Sequence, residues 1–431
     1  MTLLINNAKL VDPVAGTVTP GAVLMRNSVI AEVFDTPNPQ ISFDSVPEDA
    51  RRDAKCKCLA PGIVDIGVKI CEPGERHKES YGSAGQAAAA GGVTTIVTRP
   101  DTNPAIDTPE TLEFVRRRAN EAAPVHVLPM AALTKGRDGR EMTEIGFLMD
   151  AGAVAFTDCD SVVRNTKVLS RAMTYAGALG ALIVGHPQEP ILSANAATTS
   201  GKFASLRGLP AVSPMAERMG LDRDIALVEM TGVRYHADQI TTSRALPALE
   251  RAKRNGFDVT AGISMHHLTL NEFDVADYRT FFKVKPPLRA EEDRQAVVEA
   301  VKTGLIDVIG SFHTPQDEES KRLPFEEAAS GAVGLETMLP VLLRLYHSGD
   351  LDLPTLFRAL SLNPAKRLGL DCGRLSKGAP ADLVLFDPDK PIILDRFKLL
   401  SKSKNTPFDG ARLQGKVLET FVSGTSVHRS I

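Results

Sequence analysis

From about residue 61 onward, short apolar runs alternate with Ala-rich stretches whose apolar positions return at helical spacing. "GIVDIGVK", "GGVTTIVTRP", "VHVLPMAALT", "GAVAFTD", "ALIVGHP", "GVRYHADQ", "FDVTAGIS" and "LIDVIGSFH" read as eight buried strands. Between them lie helical patterns such as "TPETLEFVRRRANEA", where Thr108-Pro109-Glu110 is a helix-start signal. Regular alternation of this kind predicts an α/β chain with a parallel (β/α)₈ barrel, a TIM barrel, over residues 61–370. The two ends have a different texture. Residues 1–60 ("LLINNAKLVD", "AVLMRNSVIAEVF") and 371–431 ("GRLSKGAPADLVLFDPD", "KVLETFVSGTSVHRS") are β-rich, which predicts one small β-sandwich built from both. Within the last segment, "LLSKSKNTPFDG" reads as an exposed, solvated charged loop.

Composition narrows the function classes. The 431 residues are 43% hydrophobic, enough for a large core. Fifty Lys and Arg face 53 Asp and Glu, a net charge of -3, so neither nucleic acid nor an anionic membrane surface is an expected partner. The start, "MTLLINNAKLVDP", has no basic n-region, long apolar run or small-residue cleavage site, so no secretory signal is expected. No stretch reaches the ~18 unbroken apolar residues of a membrane span. The five cysteines (Cys56, Cys58, Cys71, Cys159 and Cys372) are scattered and fit reduced thiols in a cytoplasmic protein. Cys56-Lys57-Cys58 could be half of a zinc site, but no second pair completes it.

In a parallel barrel the reacting groups come from the C-terminal ends of the strands. Here those ends read Asp65, Gly67, Lys69, Cys71 and Glu72 on the first strand and Arg99 to Thr102 on the second. They continue with Asp158-Cys159-Asp160, His186 to Glu189, His236 to Thr242, and Ser311-Phe312-His313. A hydrolytic zinc needs about three protein ligands and an open position for water. Nine histidines with no HxH or HExxH pairing leave His186 as the one well-placed candidate, with carboxylates around it. There is no Gly-x-Ser-x-Gly elbow and no Walker loop, and a nucleophilic Cys71 or Cys159 would need a partner base that the sequence does not place.

"APGIVDIGVKICEPGERHKES", "AAAAGGVTTIVTRPDTNPAIDTPETLEF", "FFKVKPPLR", "LPFEEAASGAVGLETMLPVLL", "LNPAKRLGL", "GAPADLVLFDP" and "SKSKNTPF" together resemble dihydroorotase of the amidohydrolase superfamily. The resemblance is nearly full length, to the type found alongside aspartate transcarbamoylase in many bacteria. It implies interconversion of carbamoyl-aspartate and dihydroorotate by a metal-held water. Set against the family pattern, the first-strand histidines are Gly67 and Lys69 here, and the arginine that clamps the substrate carboxylate is Cys71. The expected asparagine of the second strand is Asp101. A further ligand histidine is Gln239, the catalytic aspartate is Phe312, and the last histidine of that motif is Gln316. Asp158 and His186 remain as residual metal candidates, and His313 matches a histidine that is not a ligand.

These departures lead to the expectation of a folded but catalytically inactive homologue without zinc, a pseudo-enzyme. It would act as a structural or regulatory partner of aspartate transcarbamoylase in a homo- or hetero-oligomer. The alternative is an active hydrolase of a cyclic amide, with Asp65, Asp158, His186, Glu189 and His236 forming an atypical one-metal site that holds zinc. A third reading is a small-molecule sensor that reuses the pocket. Two local expectations follow: Lys69 sits near Asp65 and Asp158, or reaches out to the mouth, and the Phe312 ring packs inward to plug the barrel mouth.

Overall fold

The computed structural model describes residues 2–40, 46–275 and 278–430. Strands Ile63–Val68, Val93–Thr98 and His126–Pro129 form one parallel ladder, with Asp65 opposite Ile96 and Val97 opposite Leu128. Leu182–Gly185, Arg234–Ala237, Val259–Ser264 and Val308–Gly310 form a second. The run expected as the fourth strand contributes a single bridge residue, Phe156, which pairs with Ala131 on one side and Ile183 on the other. It goes no further because the Asp158 carboxylate itself accepts the N–H groups of Leu133 and Thr134, where a strand would have continued. At the opposite seam, Asp65 Oδ1 accepts from the Ser311 N–H and the Lys69 N–H donates to the His313 carbonyl.

Strand alternation sorts the apolar side chains. Val64, Ile66, Val97, Met130, Leu182, Val184 and Val308 share one inner cluster, while the alternate residues Ile63 and Ile96 pack against the helices, joined by Val68 past the register shift at Gly67. The helices start where the sequence signals them. Thr108 caps Pro109–Ala122, and Ser80 with Ser83 closes a reciprocal box at the start of Tyr81–Ala90. That second helix ends at Gly91, where a Cβ would stand 1.9 Å from the Leu335 carbonyl oxygen, so only glycine admits the approach.

Both chain ends join one continuous eight-stranded sheet, rather than two separately hydrogen-bonded sheets. Its path runs from Thr425–Arg429 through Arg412–Val422, Leu383–Ile393, Cys58–Pro61, Thr2–Asp12 and Thr17–Arg26 to Val29–Phe34, and Arg51–Asp53 pairs alongside Thr2–Asp12. The sheet encloses a core of its own around Ile5, Leu10, Val23, Leu59, Leu383 and Phe421. Among the described residues no helix is long and apolar enough to cross a membrane.

The segment expected as an exposed loop is buried over much of its length instead. Ser401, Asn405 and Thr406 are each at most 2% exposed. Asn405 Nδ2 donates to the Thr314 and Gly331 carbonyls (3.1 and 3.0 Å), and its Oδ1 accepts from the Gln316 N–H. Glu79 accepts from the Ser401 hydroxyl, and Glu336 accepts the Leu400 and Ser401 N–H groups. The polar residues that suggested solvent are there to satisfy buried backbone, which costs free energy when left unpaired.

Candidate functional site

The strand ends open into a cleft of about 1040 Å³ whose lining includes Arg137, Asp160, His186, Gln188, Lys283 and Lys285. His186, at the end of Leu182–Gly185, turns Nδ1 toward the Asp238 carboxylate (3.1 and 3.2 Å). Its Nε2 is buried and makes no hydrogen bond. A carboxylate on Nδ1 fixes the proton there and leaves the Nε2 lone pair available. Asp238 is held in turn by its own N–H, which donates to the Gly185 carbonyl.

Beside this pair runs a chain of charges. Lys69 Nζ meets Asp101 at 3.1 Å, correcting the expected placement near Asp65 and Asp158. Arg99 grips both oxygens of Asp101 (3.2 and 3.0 Å) and reaches Asp160 at 3.6 Å. Asp160 also takes Arg137 at 3.5 Å and Lys285 at 3.1 Å. Burial alone would raise both carboxyls. Arg99 and Lys69 outweigh it at Asp101, and Arg99 and Lys285 at Asp160, holding both below the ordinary carboxylate range. Asp101 is therefore a paired charge, held by Arg99 and Lys69.

The remaining candidates are structural. Asp158 accepts two N–H groups and the Thr134 hydroxyl. Glu189 caps the Ile191 and Leu192 N–H groups. His236 Nδ1 bonds the Thr260 hydroxyl at 2.8 Å, and burial drives its pKa down to about 3. Gln239 Nε2 donates to the Lys285 carbonyl, and Gln316 Nε2 to that of Ser330. Burial pushes the Cys71 and Cys159 thiols up to about 12, so neither supplies a thiolate.

The Phe312 ring lies in the mouth beside Ile66, Arg99, Val184 and His236, and a Cβ on Gly67 would stand 3.1 Å from it. The ring thus fills the space that Gly67 leaves, as expected of an inward plug. Phe312 holds φ 47°, a left-handed conformation unusual for a large side chain.

The donor set does not fit the metal that the family resemblance implies. Among the described residues, no three His, Cys, Asp or Glu side chains converge on one point. The five residues of the envisaged one-metal site are split by the bonds just described. The positions where the resemblance would put ligands carry a hydrogen, an ammonium, an amide and a phenyl ring (Gly67, Lys69, Gln239 and Phe312).

This α/β architecture is shared with hydantoinases. The L-hydantoinase (dihydropyrimidinase) from Arthrobacter aurescens superposes with a TM-score of 0.88 at 25% identity, covering 99% of this chain and 96% of that one. A D-hydantoinase (dihydropyrimidinase) from Thermus sp. has the same fold, with a TM-score of 0.84 at 20% identity and coverage of 99% and 95%. The family model described as "Dihydro-orotase-like" matches residues 56–245. A dihydroorotase from Wolbachia sp. subsp. Drosophila simulans (strain wRi) is 38% identical over 98% of this chain and 94% of its own. One from Syntrophus aciditrophicus (strain SB) is 37% identical over 100% of both. The chain belongs to the dihydroorotase family.

These comparisons correct the expectation of an inactive partner for aspartate transcarbamoylase. Full-length relatives at 35–38% identity carry the name of an enzyme, which favours the cyclic-amide hydrolase. No local pattern in the sequence pairs Asp238 with His186, behind which it stands.

Proposed function

We propose that the chain is a hydrolase of a cyclic amide of the dihydroorotate type, working in the cleft at the strand ends. The observation that carries this reading is the His186–Asp238 pair, with its unbonded Nε2, in a full-length relative of dihydroorotases. In the ring-opening direction the His186 imidazole must first be uncovered, because Nε2 is buried here; Nε2 then takes a proton from a water whose oxygen attacks the amide carbon. The C–N bond then breaks, and the imidazolium returns that proton to the leaving nitrogen, giving an open-chain urea and a carboxylic acid, which becomes the carboxylate by losing its proton to solvent. Asp238 keeps the ring oriented and stabilises the imidazolium. Arg137 and Lys285, on the same cleft, suit a substrate that carries a carboxylate. No step is assigned to a metal, because the donor set does not fit one.

The test is release of carbamoyl-aspartate from dihydroorotate, and the reverse reaction, by the purified full chain beside His186→Ala. Turnover that falls by about 10²–10⁴ in the variant supports the assignment. Turnover equal in the two proteins, or absent from both, refutes it.

A further inference from the structure

The charge chain across the mouth combines residues from five separate places, Arg137 coming from the turn after His126–Pro129. Lys69 follows the first strand, Arg99 and Asp101 the second, Asp160 follows the bridge residue Phe156, and Lys285 comes from the loop after Val259–Ser264. In these pairs four cations, Lys69, Arg99, Arg137 and Lys285, meet two carboxylates, Asp101 and Asp160. Lys69 and Arg99 are largely buried, with side chains 19% and 13% exposed. Buried charge of one sign is costly unless it is paired. Asp101 and Asp160 therefore have their negative charge met by fixed side chains, and a divalent cation arriving here would meet four like charges. Asp238 near Arg99 and Asp158 near Arg137 offset the other two cations. The adjoining cleft does carry an excess: Arg140, Arg164 and Lys283 line it beside Arg137 and Lys285, against Asp138, Asp160 and Glu326, and that excess calls for an anion.

We propose that this ionic lattice stands in place of a metal centre: the mouth takes up no divalent ion and binds a dianionic ligand directly on its own lysines and arginines. The inference rests on locating the reaction at this mouth, but its test does not depend on turnover. Lys285 has the most exposed of the four side chains, and its head group lies on the cleft. It is the cation that a ligand can reach with the least rearrangement.

The experiment uses the full chain purified without chelator, dialysed against excess zinc, then against buffer, and assayed for bound zinc. Below about a tenth of a zinc per chain is expected, since no set of about three ligands is present. In parallel, calorimetry follows binding of N-acetyl-aspartate, an unreactive dianion, with and without EDTA. Its affinity should be the same in both. It should fall several-fold between low and moderate salt, and about tenfold in Lys285→Ala, whose exposed side chain can be removed without opening the core.

About one zinc per chain, binding abolished by EDTA, or no binding of the dianion at millimolar concentration overturns the proposal. Turnover that requires one bound zinc overturns it while leaving the hydrolase reading in place. Zinc-free protein that binds the dianion without turnover overturns the hydrolase reading alone.

Discussion

The fully buried Glu217–Arg289 pair gives an asymmetric stability prediction. Arg289 donates to the Thr241 and Thr199 hydroxyls (2.9 and 3.2 Å) and to Glu217 (3.3 Å). Glu217 does more, accepting the Thr241 and Thr242 N–H groups (both 2.8 Å), both threonine hydroxyls and the Gln188 amide. Breaking a buried ion pair costs about 3–5 kcal/mol, because the survivor is left as an uncompensated charge. Arg289→Met leaves Glu217 with its five other donors, so it should fall at the lower end, about 3 kcal/mol. Glu217→Gln leaves a buried guanidinium with only two hydroxyls. It also turns an amide toward groups that donate, each mismatch costing ~1–3 kcal/mol, so it should reach the upper end or beyond. The double substitution should cost less than the sum of the two. Urea unfolding of the three variants, read at the midpoint with the slope checked for constancy, measures this. If Arg289→Met cost more than Glu217→Gln, or both cost under about 1 kcal/mol, the five donors around Glu217 would not be what holds its charge.

Three further outcomes are expected. Asn405→Ala removes a side chain that satisfies two carbonyls and the Gln316 N–H, and should destabilise by about 2–3 kcal/mol in thermal or urea unfolding; a neutral result would mean that the loop is not held as described. Of the five thiols, Cys56 is exposed and should react at once with a thiol reagent at neutral pH, while Cys71 and Cys159 stay silent until the chain unfolds; early labelling of either would contradict its burial. His236, His266 and His267 are each driven by burial to about 3. Between pH 6.5 and 3 the unfolded chain then binds more protons than the folded one, so stability is lost as pH falls through that window. Burial holds Glu336 up at about 7, which reverses the sign: between its ordinary 4.5 and 7 the folded chain binds the extra proton, and stability falls as pH rises. Unfolding midpoints of the wild type and Glu336→Gln across this range separate the two effects, the variant losing only the second.

By itself the sequence determined the element types, because period-2 and period-3.6 patterns and a cap such as Thr108-Pro109 are local. It also determined the family, through motifs spread over the whole chain, and the chemical loss at Gly67, Lys69, Gln239 and Phe312, because a missing imidazole needs no structure to be noticed. It placed the Phe312 ring inward, since a phenyl group gains most by packing. It failed where the answer is a pairing between distant residues. Asp238 lies 52 positions from His186, and Lys285 lies 125 from Asp160. No local pattern ranks such partners, and a charge at a strand end reads the same whether it meets solvent, a metal or a guanidinium. The polar run around Asn405 looked solvated for the same reason. Only the tertiary structure decided which charges neutralise each other, because the cost of burying one depends wholly on what stands within a few ångströms of it.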